Sequence, residues 1–227
     1  MEFALQDACM NNDLKKVQEI FAESPEDILK RDNDGRMGLH WAVSFQHEDI
    51  VIFLLSHMRE ADIDDYTDDA GWTPFHIACA VGNLNIIQQL YNRDMKPDLD
   101  LPTLQGVTPL HLAVAKKHLE VCKFLLDNGA SVRVKDKKLQ LPLHRAASVG
   151  SMALVDMLCA KKSPVNARDF QGWTPLFHAL AEGHGDIALL LVKQYNSDYE
   201  STEDSNGSKA LDVVLNDKVK KFFLQNI

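Results

Sequence analysis

The stretch Gly-Val-Thr-Pro-Leu-His-Leu-Ala at residues 106–113 decides the fold, because it recurs along the chain. Gly-Trp-Thr-Pro-Phe-His-Ile-Ala at residues 71–78 is nearly the same, and looser copies occupy residues 38–42, 141–146 and 172–179. One slot of the motif recurs at steps of 36, 35, 33 and 33 residues. It is filled by His40, His76, His111, His144 and Phe177. A period of about 33 residues indicates stacked structural repeats.

The sequence pattern of each repeat predicts two short helices. Threonine is a preferred N-cap, and proline fits the first helical position because its missing N–H would have no partner there. A second apolar pattern follows the motif, as in residues 119–126, and Asn128–Gly129 can end it. The Thr-Pro-Leu-His signature and the period are those of ankyrin repeats. Because successive repeats hold one histidine each, too far apart to share a metal ion, we expect these rings to hydrogen-bond between adjacent turns.

The predicted fold is an all-α ankyrin-repeat solenoid of seven helix-turn-helix repeats, with polar capping repeats and short β-turn hairpins. We expect a single domain over residues 1–227. The repeats are predicted at residues 1–31, 32–67, 68–102, 103–135, 136–168, 169–203 and 204–227. Leu139 departs from the pattern, since its turn position usually holds a glycine that takes a positive φ at low cost. The sequence therefore does not predict the conformation of that turn.

Composition narrows the class of protein. The chain of 227 residues has a formal net charge of −9, and no apolar run approaches the roughly 18 to 20 residues of a membrane span. The first sixteen residues lack the basic flank and apolar core of a signal peptide, so we expect a protein inside the cell. Cys9, Cys79, Cys122 and Cys159 lie far apart without a CxxC pair, which predicts reduced, buried thiols rather than disulfides.

Three short strings resemble catalytic or ligand-binding motifs but are incomplete. Residues 47–51 lack the second histidine of the zinc-protease motif HExxH, and residues 183–185 lack the third glycine and preceding strand of a dinucleotide loop. The acidic residues between 62 and 69 lack the central glycine and final glutamate of a calcium loop. We therefore predict a protein that is not an enzyme, with no cofactor and no metal.

The repeat register predicts which side chains a partner can reach. In an ankyrin unit, the turn tips and the exposed positions after the motif alanine line one concave face. These positions include Asp34, Arg36, Phe45, Asp69, Trp72, Lys116, Lys137, Lys138, Phe170, Trp173 and Glu182. Exposed aromatic residues are frequent binding hot spots, but a tryptophan beside a turn glycine can also shield its own hairpin. The sequence leaves both roles open for Trp72 and Trp173.

Charge is distributed unevenly along the chain. The net charge is −12 over residues 1–100, +6 over residues 101–165 and −3 over residues 166–227. One interpretation is a set of solvated faces without a partner. The other is a partner that places basic residues against Asp34 and Asp69 and acidic residues against Arg36 and Lys116. The overall acidity argues against nucleic acid as the partner.

Over its whole length the chain resembles the gankyrin family, which consists of seven-ankyrin-repeat chaperones of the proteasome regulatory particle, and it looks most like the yeast member. The resemblance rests on residues 34–36 with 39–41, 68–72, 143–147 and 172–186, the last of which is a yeast-type string. It implies a monomer of the cytoplasm and nucleus that binds the C-terminal domain of one proteasomal ATPase subunit during assembly of the regulatory particle.

The resemblance also implies roles for individual residues. In the gankyrin family, acidic turn-tip residues pair with partner arginines and basic ones with partner carboxylates. Asp34, Arg36, Asp69 and Lys116 occupy matching positions, and the shared strings add Trp41 and Arg145 to the predicted partner-binding residues. The alternative is a general ankyrin adaptor or kinase inhibitor with an unrelated protein client.

Overall fold

The computed structural model of the chain describes residues 3–59 and 61–227, so the first two positions of the first predicted repeat and Glu60 lie outside the description. The described residues form two compact units, one ending at Gln105 and the other beginning at Gly106. The α-helices of the first unit are α1 (Ala4–Met10), α2 (Leu14–Glu23), α3 (Gly38–Ser44), α4 (Glu48–His57), α5 (Pro74–Val81) and α6 (Leu84–Tyr91). Short 3-10 helices at Pro25–Leu29 and Ile63–Asp65 lie in its connecting segments.

The second unit continues the same alternation of paired helices. Its α-helices are α7 (Pro109–Ala115), α8 (Leu119–Asp127), α9 (Pro142–Ser148), α10 (Met152–Ala160), α11 (Pro175–Ala181), α12 (Gly185–Lys193) and α13 (Asp217–Asn226). The described residues contain no strand, and their one isolated antiparallel bridge joins Glu203 and Lys209. None of the described helices is long and apolar enough to cross a membrane. The predicted all-α repeat architecture is confirmed.

The motif begins the first helix of a repeat as predicted. Helices α5, α7 and α11 start at a proline that follows a threonine N-cap. In α5 the Thr73 hydroxyl oxygen accepts the His76 backbone N–H at 3.3 Å and lies 2.8 Å from the His76 ring Nδ1. Helices α3 and α9 begin after Met37 and Leu141, which carry no hydroxyl, yet the motif histidine still caps them.

Each motif histidine links its own repeat to the following segment of chain. The ring Nδ1 accepts the backbone N–H of the N-cap residue, for example from Thr108 to His111 at 3.3 Å. Because a backbone N–H can only donate, the proton of the ring resides on Nε2, which donates to a carbonyl 23 to 29 residues along the chain. The four pairs are His40 with Tyr66, His76 with Leu101, His111 with Gln140 and His144 with Ala167. The predicted role of these histidines is confirmed.

These rings are neutral because they are buried. Burial lowers the pKa of His40, His111 and His144 from 6.5 to about 4, and it lowers the pKa of His76 as well. Bonds to the neighbouring carbonyls act in the opposite direction but are the weaker influence. The repeat therefore contains a hydrogen-bonding group that holds two backbone segments together without a charge.

The core lies between like helices of neighbouring repeats. Within the first unit α3 contacts α1 and α5, and within the second unit α9 contacts α7 and α11, while α4 and α10 contact second helices on either side. Apolar residues of the second helices, such as Leu54, Ile86 and Leu125, are fully buried. Each such side chain stabilises the fold by about 1.5–3 kcal/mol. All four cysteines are buried free thiols, as predicted.

The last repeat differs from the expected pair of helices, since only α13 forms after residue 204. Its segment before α13 has no Thr-Pro cap, and residues 207–216 form turns instead of a first helix. Helix α13 packs on α12 through the Gly-His-Gly string of residues 183–185. A Cβ on Gly185 would lie 2.9 Å from Phe222 Cδ1, so this string serves close packing.

The turn at Leu139 forms in spite of its missing glycine. Leu139 adopts a φ of 60°, and its N–H donates to the Asp136 carbonyl at 2.8 Å. The turn at Gly71 has the same arrangement, with the Gly71 N–H 2.8 Å from the Asp68 carbonyl. The Leu139 side chain is 44% exposed, and the unfavourable feature of this turn is its left-handed backbone conformation.

We expect the fold to lose stability as the pH falls from 6.5 towards 4. The unfolded chain binds protons at histidine over this range, whereas the buried rings, with pKa values near 4, do not. Each such histidine removes on the order of 2 kcal/mol from the free energy of unfolding by pH 5. Urea unfolding at several pH values measures the slope.

The matched variant is His111→Phe, because Phe177 fills the same motif slot in a later repeat. This variant should lose about 1–3 kcal/mol at pH 7 from two unpaired backbone groups. The change of its unfolding free energy with pH should then be smaller, because unfolding takes up one proton fewer. If the unfolding free energy of His111→Phe changed with pH as steeply as that of the unaltered protein, the lowered pKa of His111 would be contradicted.

We expect Leu139→Gly to raise the free energy of unfolding by about 0.5–1 kcal/mol. The variant relieves a cost of about 1–2 kcal/mol that leucine incurs in the left-handed backbone conformation. The greater conformational entropy of glycine in the unfolded chain offsets about 0.5–1 kcal/mol of this gain. Lys138→Gly is the control, since Lys138 lies in the same turn with a negative φ and should only lose stability. Urea unfolding compares the two, and a less stable Leu139→Gly variant would refute the prediction.

Candidate partner-binding surface

The turns that precede the motif are organised by an aspartate that the sequence analysis did not identify. Its Oδ1 accepts two backbone N–H groups, two and four residues further along the chain, at 2.8–3.0 Å. These turn aspartates are Asp32, Asp68, Asp136, Asp169 and Asp204. Thr103 stands in the corresponding position of another repeat, and its hydroxyl oxygen accepts the Gln105 N–H at 3.3 Å. The available signal was an aspartate three residues before Leu139 and before every turn glycine of these hairpins except Gly106, where Thr103 takes its place.

The second carboxylate oxygen of a turn aspartate holds a side chain of the first helix in the same repeat. In each case the donor lies nine residues after the aspartate, one position beyond the motif histidine slot. The pairs are Trp41 Nε1 with Asp32 at 2.6 Å, Arg145 Nη2 with Asp136 at 2.7 Å and His178 Nε2 with Asp169 at 2.9 Å. Two predicted binding residues, Trp41 and Arg145, are thereby fixed in position.

Turn aspartates also hold side chains from the preceding repeat. The donor is the residue directly after the turn glycine or Leu139, and it reaches the next turn along the chain. The pairs are Arg36 Nε with Asp68, Gln140 Nε2 with Asp169 and Trp173 Nε1 with Asp204, each at 3.1 Å. These bonds make the exposed parts of Arg36 and Trp173 into rigid features of the surface.

In the first unit, the predicted residues fall into two groups. Asp34 and Asp69 are exposed on neighbouring turn tips, which are joined by a 3.0 Å bond from the Asp69 N–H to the Asp34 carbonyl. Phe45 is 50% exposed at the end of α3. Arg36 is partly buried, with its guanidinium carbon 4.9 Å from the centre of the Trp41 ring. Trp72 is also partly buried.

In the second unit, the predicted residues also fall into exposed side chains and partly buried ones. Lys116 and Glu182 are exposed directly after α7 and α11. Arg145 and Trp173 are partly buried against turn aspartates, as described above. The Trp173 indole N–H therefore donates to the next hairpin, at Asp204, while part of the ring stays accessible. The structure thus gives Trp173 a role in its own fold without excluding a contact with a partner.

Two of the turn aspartates, Asp32 and Asp169, are ionised at neutral pH because their pKa values are lowered. Burial opposes ionisation of Asp32, but hydrogen bonds from Trp41 and from backbone N–H groups lower its pKa overall. Burial likewise opposes ionisation of Asp169, and bonds from His178 and Gln140 outweigh it, so that its pKa is also lowered. Since the ionised form accepts all of these bonds, the carboxylates hold both the turn and the surface side chains.

The arrangement presents charge and shape to solvent. No group of three or more histidine, cysteine, aspartate or glutamate side chains that could hold a metal ion exists among residues 3–59 and 61–227. The predicted surface residues are either exposed charges or side chains held by an aspartate. Such a surface can bind a protein of complementary charge.

Comparisons with known proteins agree with the repeat geometry. A family model described as ankyrin repeats (3 copies) matches residues 5–100, 59–136 and 110–203. The ankyrin repeat domain of Bcl-3 has a similar structure, with a TM-score of 0.77 at 23% identity over 98% of this chain and 97% of that one. This likeness concerns the fold alone. The protein is an ankyrin-repeat protein.

Relatives in sequence define the family more closely. The probable 26S proteasome regulatory subunit p28 of Saccharomyces cerevisiae is 59% identical over 226 residues, which are 99% of each chain. An ankyrin repeat-containing protein of Schizosaccharomyces pombe, C6C3.08, is 36% identical over 92% of this chain and 88% of its own. The chain belongs to the gankyrin family.

We expect Asp136→Ala to lower the free energy of unfolding by about 2–4 kcal/mol, because it leaves two backbone N–H groups and Arg145 without their acceptor. Asp136→Thr imitates the natural turn at Thr103 and should lose less, since a threonine hydroxyl can accept a backbone N–H of the turn, as Thr103 does. Urea unfolding of both variants tests this order. Equal losses would show that the backbone bonds of the aspartate contribute little.

Proposed function

We propose that this chain is a non-enzymatic chaperone for assembly of the proteasome regulatory particle, and that it binds the C-terminal domain of a base ATPase subunit. The observation that carries the proposal is the 59% identity, over 99% of both chains, to a protein named as a probable regulatory subunit of the 26S proteasome. The choice of the ATPase domain as the partner follows from the resemblance to the gankyrin family.

The geometry of the surface supports a protein partner. Exposed Asp34 and Asp69 suit basic residues of a partner, while Lys116 suits an acidic one. Arg36, Trp41, Arg145 and Trp173 are held by turn aspartates before any partner arrives. A surface that is already ordered loses little side-chain entropy on binding, which favours affinity.

The proposed mechanism involves no bond-making step. The repeats of each unit provide a rigid support from which tips and first helices contact the ATPase domain. While bound, the chaperone occupies that surface and delays a later docking event by steric exclusion, and it dissociates on maturation. We also propose that the chain is a monomer on its own and acts in the cytoplasm and nucleus.

We expect the double variant Asp34→Lys and Lys116→Glu to weaken binding to the isolated ATPase domain by at least about 10-fold, because like charges would face each other. Isothermal titration calorimetry measures the affinity. Binding of the unaltered protein should also weaken as salt is raised, since exposed charges are screened.

The control reverses exposed charges elsewhere, with Glu23→Lys on α2 and Lys123→Glu on α8. Both residues lie on second helices, and their reversal should leave the affinity nearly unchanged. If the unaltered protein fails to bind the ATPase domain, the proposal is wrong. Purification from native cells that recovers an unrelated client instead would favour the adaptor interpretation.

A further inference from the structure

Two neighbouring turn tips of the second unit carry apolar side chains. The Phe170 N–H donates to the Lys138 carbonyl at 2.9 Å, which joins the turn of residues 169–172 to that of residues 136–139. Phe170 is 78% exposed, more than any other large apolar side chain that the structure describes, and Leu139 is 44% exposed. In the first unit, the turn position of Phe170 is filled by Asn33, Asp69 and Leu104, of which Leu104 is 58% exposed. Phe170 and Leu139 place two exposed apolar side chains on turns that are joined to each other.

Phe170 packs little against its own fold, and Leu139 adopts a backbone conformation that is unfavourable for leucine. The ring of Phe170 makes no aromatic contact with the described residues, and most of its surface is in water. Leu139 adopts a φ of 60°, which glycine would adopt without strain. Unfavourable backbone conformations persist where the surrounding structure determines them and are found most often at functional sites.

Basic residues surround this apolar pair. Lys137 and Lys138 are exposed in the turn of Leu139, and neither takes part in an ion pair within the described chain. The carboxylate of the same turn, Asp136, is buried and already bonded to Arg145 and to backbone N–H groups. The patch thus has an apolar centre and an uncompensated positive rim. We name it the Leu139–Phe170 patch, consisting of Leu139, Phe170, Lys137 and Lys138.

We propose that the Leu139–Phe170 patch binds an acidic segment of the partner, with an apolar side chain of that segment between Leu139 and Phe170 and its carboxylates at Lys137 and Lys138. This inference rests on the proposed function and adds a specific contact to it. Complementary charge selects the acidic occupant, since the rim is positive and its own carboxylate is occupied. An aromatic anchor with a charged rim is the common form of a binding hot spot.

The test is calorimetry of the full chain with the isolated ATPase C-terminal domain. We expect Phe170→Ala to weaken binding about 10-fold or more, and the double variant Lys137→Glu and Lys138→Glu to weaken it by a similar factor. Met152→Ala is the control for the loss of an exposed apolar side chain. Met152 is 44% exposed, like Leu139, but it lies on the second helix α10 and not on a turn tip. It should leave the affinity unchanged.

Leu139→Gly separates binding from stability. This variant is expected to unfold at higher urea concentration and yet to bind the partner about three-fold or more weakly, because it removes an apolar contact. A loss of binding caused by damage to the fold cannot produce this combination. If Leu139→Gly bound the partner as tightly as the unaltered protein does, Leu139 would not be part of the binding patch.

Photo-cross-linking identifies the bound segment. Phe170→p-benzoylphenylalanine should cross-link to a partner peptide in which an apolar residue is flanked by aspartate or glutamate, and mass spectrometry reads the site. A cross-link to a basic segment would overturn the inference. So would self-association of the chain in sedimentation experiments that Phe170→Ala abolishes, since the patch would then bind a second copy.

The outcomes distinguish the two proposals. If the unaltered protein binds the ATPase domain and all patch variants bind equally well, the patch inference is wrong and the proposed function stands. If the unaltered protein does not bind the domain at all, the proposed function fails and the inference fails with it. Loss of binding in Phe170→Ala together with normal binding of Met152→Ala supports both.

Discussion

The hydrogen bonds of the motif histidine are the interaction on which the structure depends. A single ring caps a helix through Nδ1 and holds a carbonyl of the following segment through Nε2, as His76 does with Thr73 and Leu101. It serves both purposes only in the neutral form, which burial secures by lowering the pKa. Helix formation and repeat stacking are therefore parts of one event, and isolated short helices of seven to ten residues need no stability of their own.

The turn aspartates extend this order from the core to the surface. One oxygen closes the hairpin turn, and the other positions a tryptophan, arginine or histidine of the adjacent first helix. The fold and the proposed binding surface thus depend on the same carboxylates. The structure holds Arg36, Trp41, Arg145 and Trp173 at fixed positions, while Asp34, Asp69 and Lys116 are exposed.

Much of the architecture could be predicted because it is periodic. The step of 33 to 36 residues identified the repeats, and the Thr-Pro pair located the starts of α5, α7 and α11. The role of the histidines followed from their spacing. The turn aspartates were equally periodic but were missed, since aspartate is common in turns and its second oxygen bonds to residues that the local sequence does not indicate.

The sequence by itself determined the repeat unit, its helices and the histidine links, and it predicted the positions that could face a partner. Only the tertiary structure decided which of those positions are free and which are held, because the acceptors of Arg36 and Trp173 lie 32 and 31 residues away. It also decided that Leu139 adopts the glycine conformation, that the last repeat forms one helix, and that Phe170 stands in water. These outcomes depend on how neighbouring turns come together in space, and a local pattern contains no measure of that.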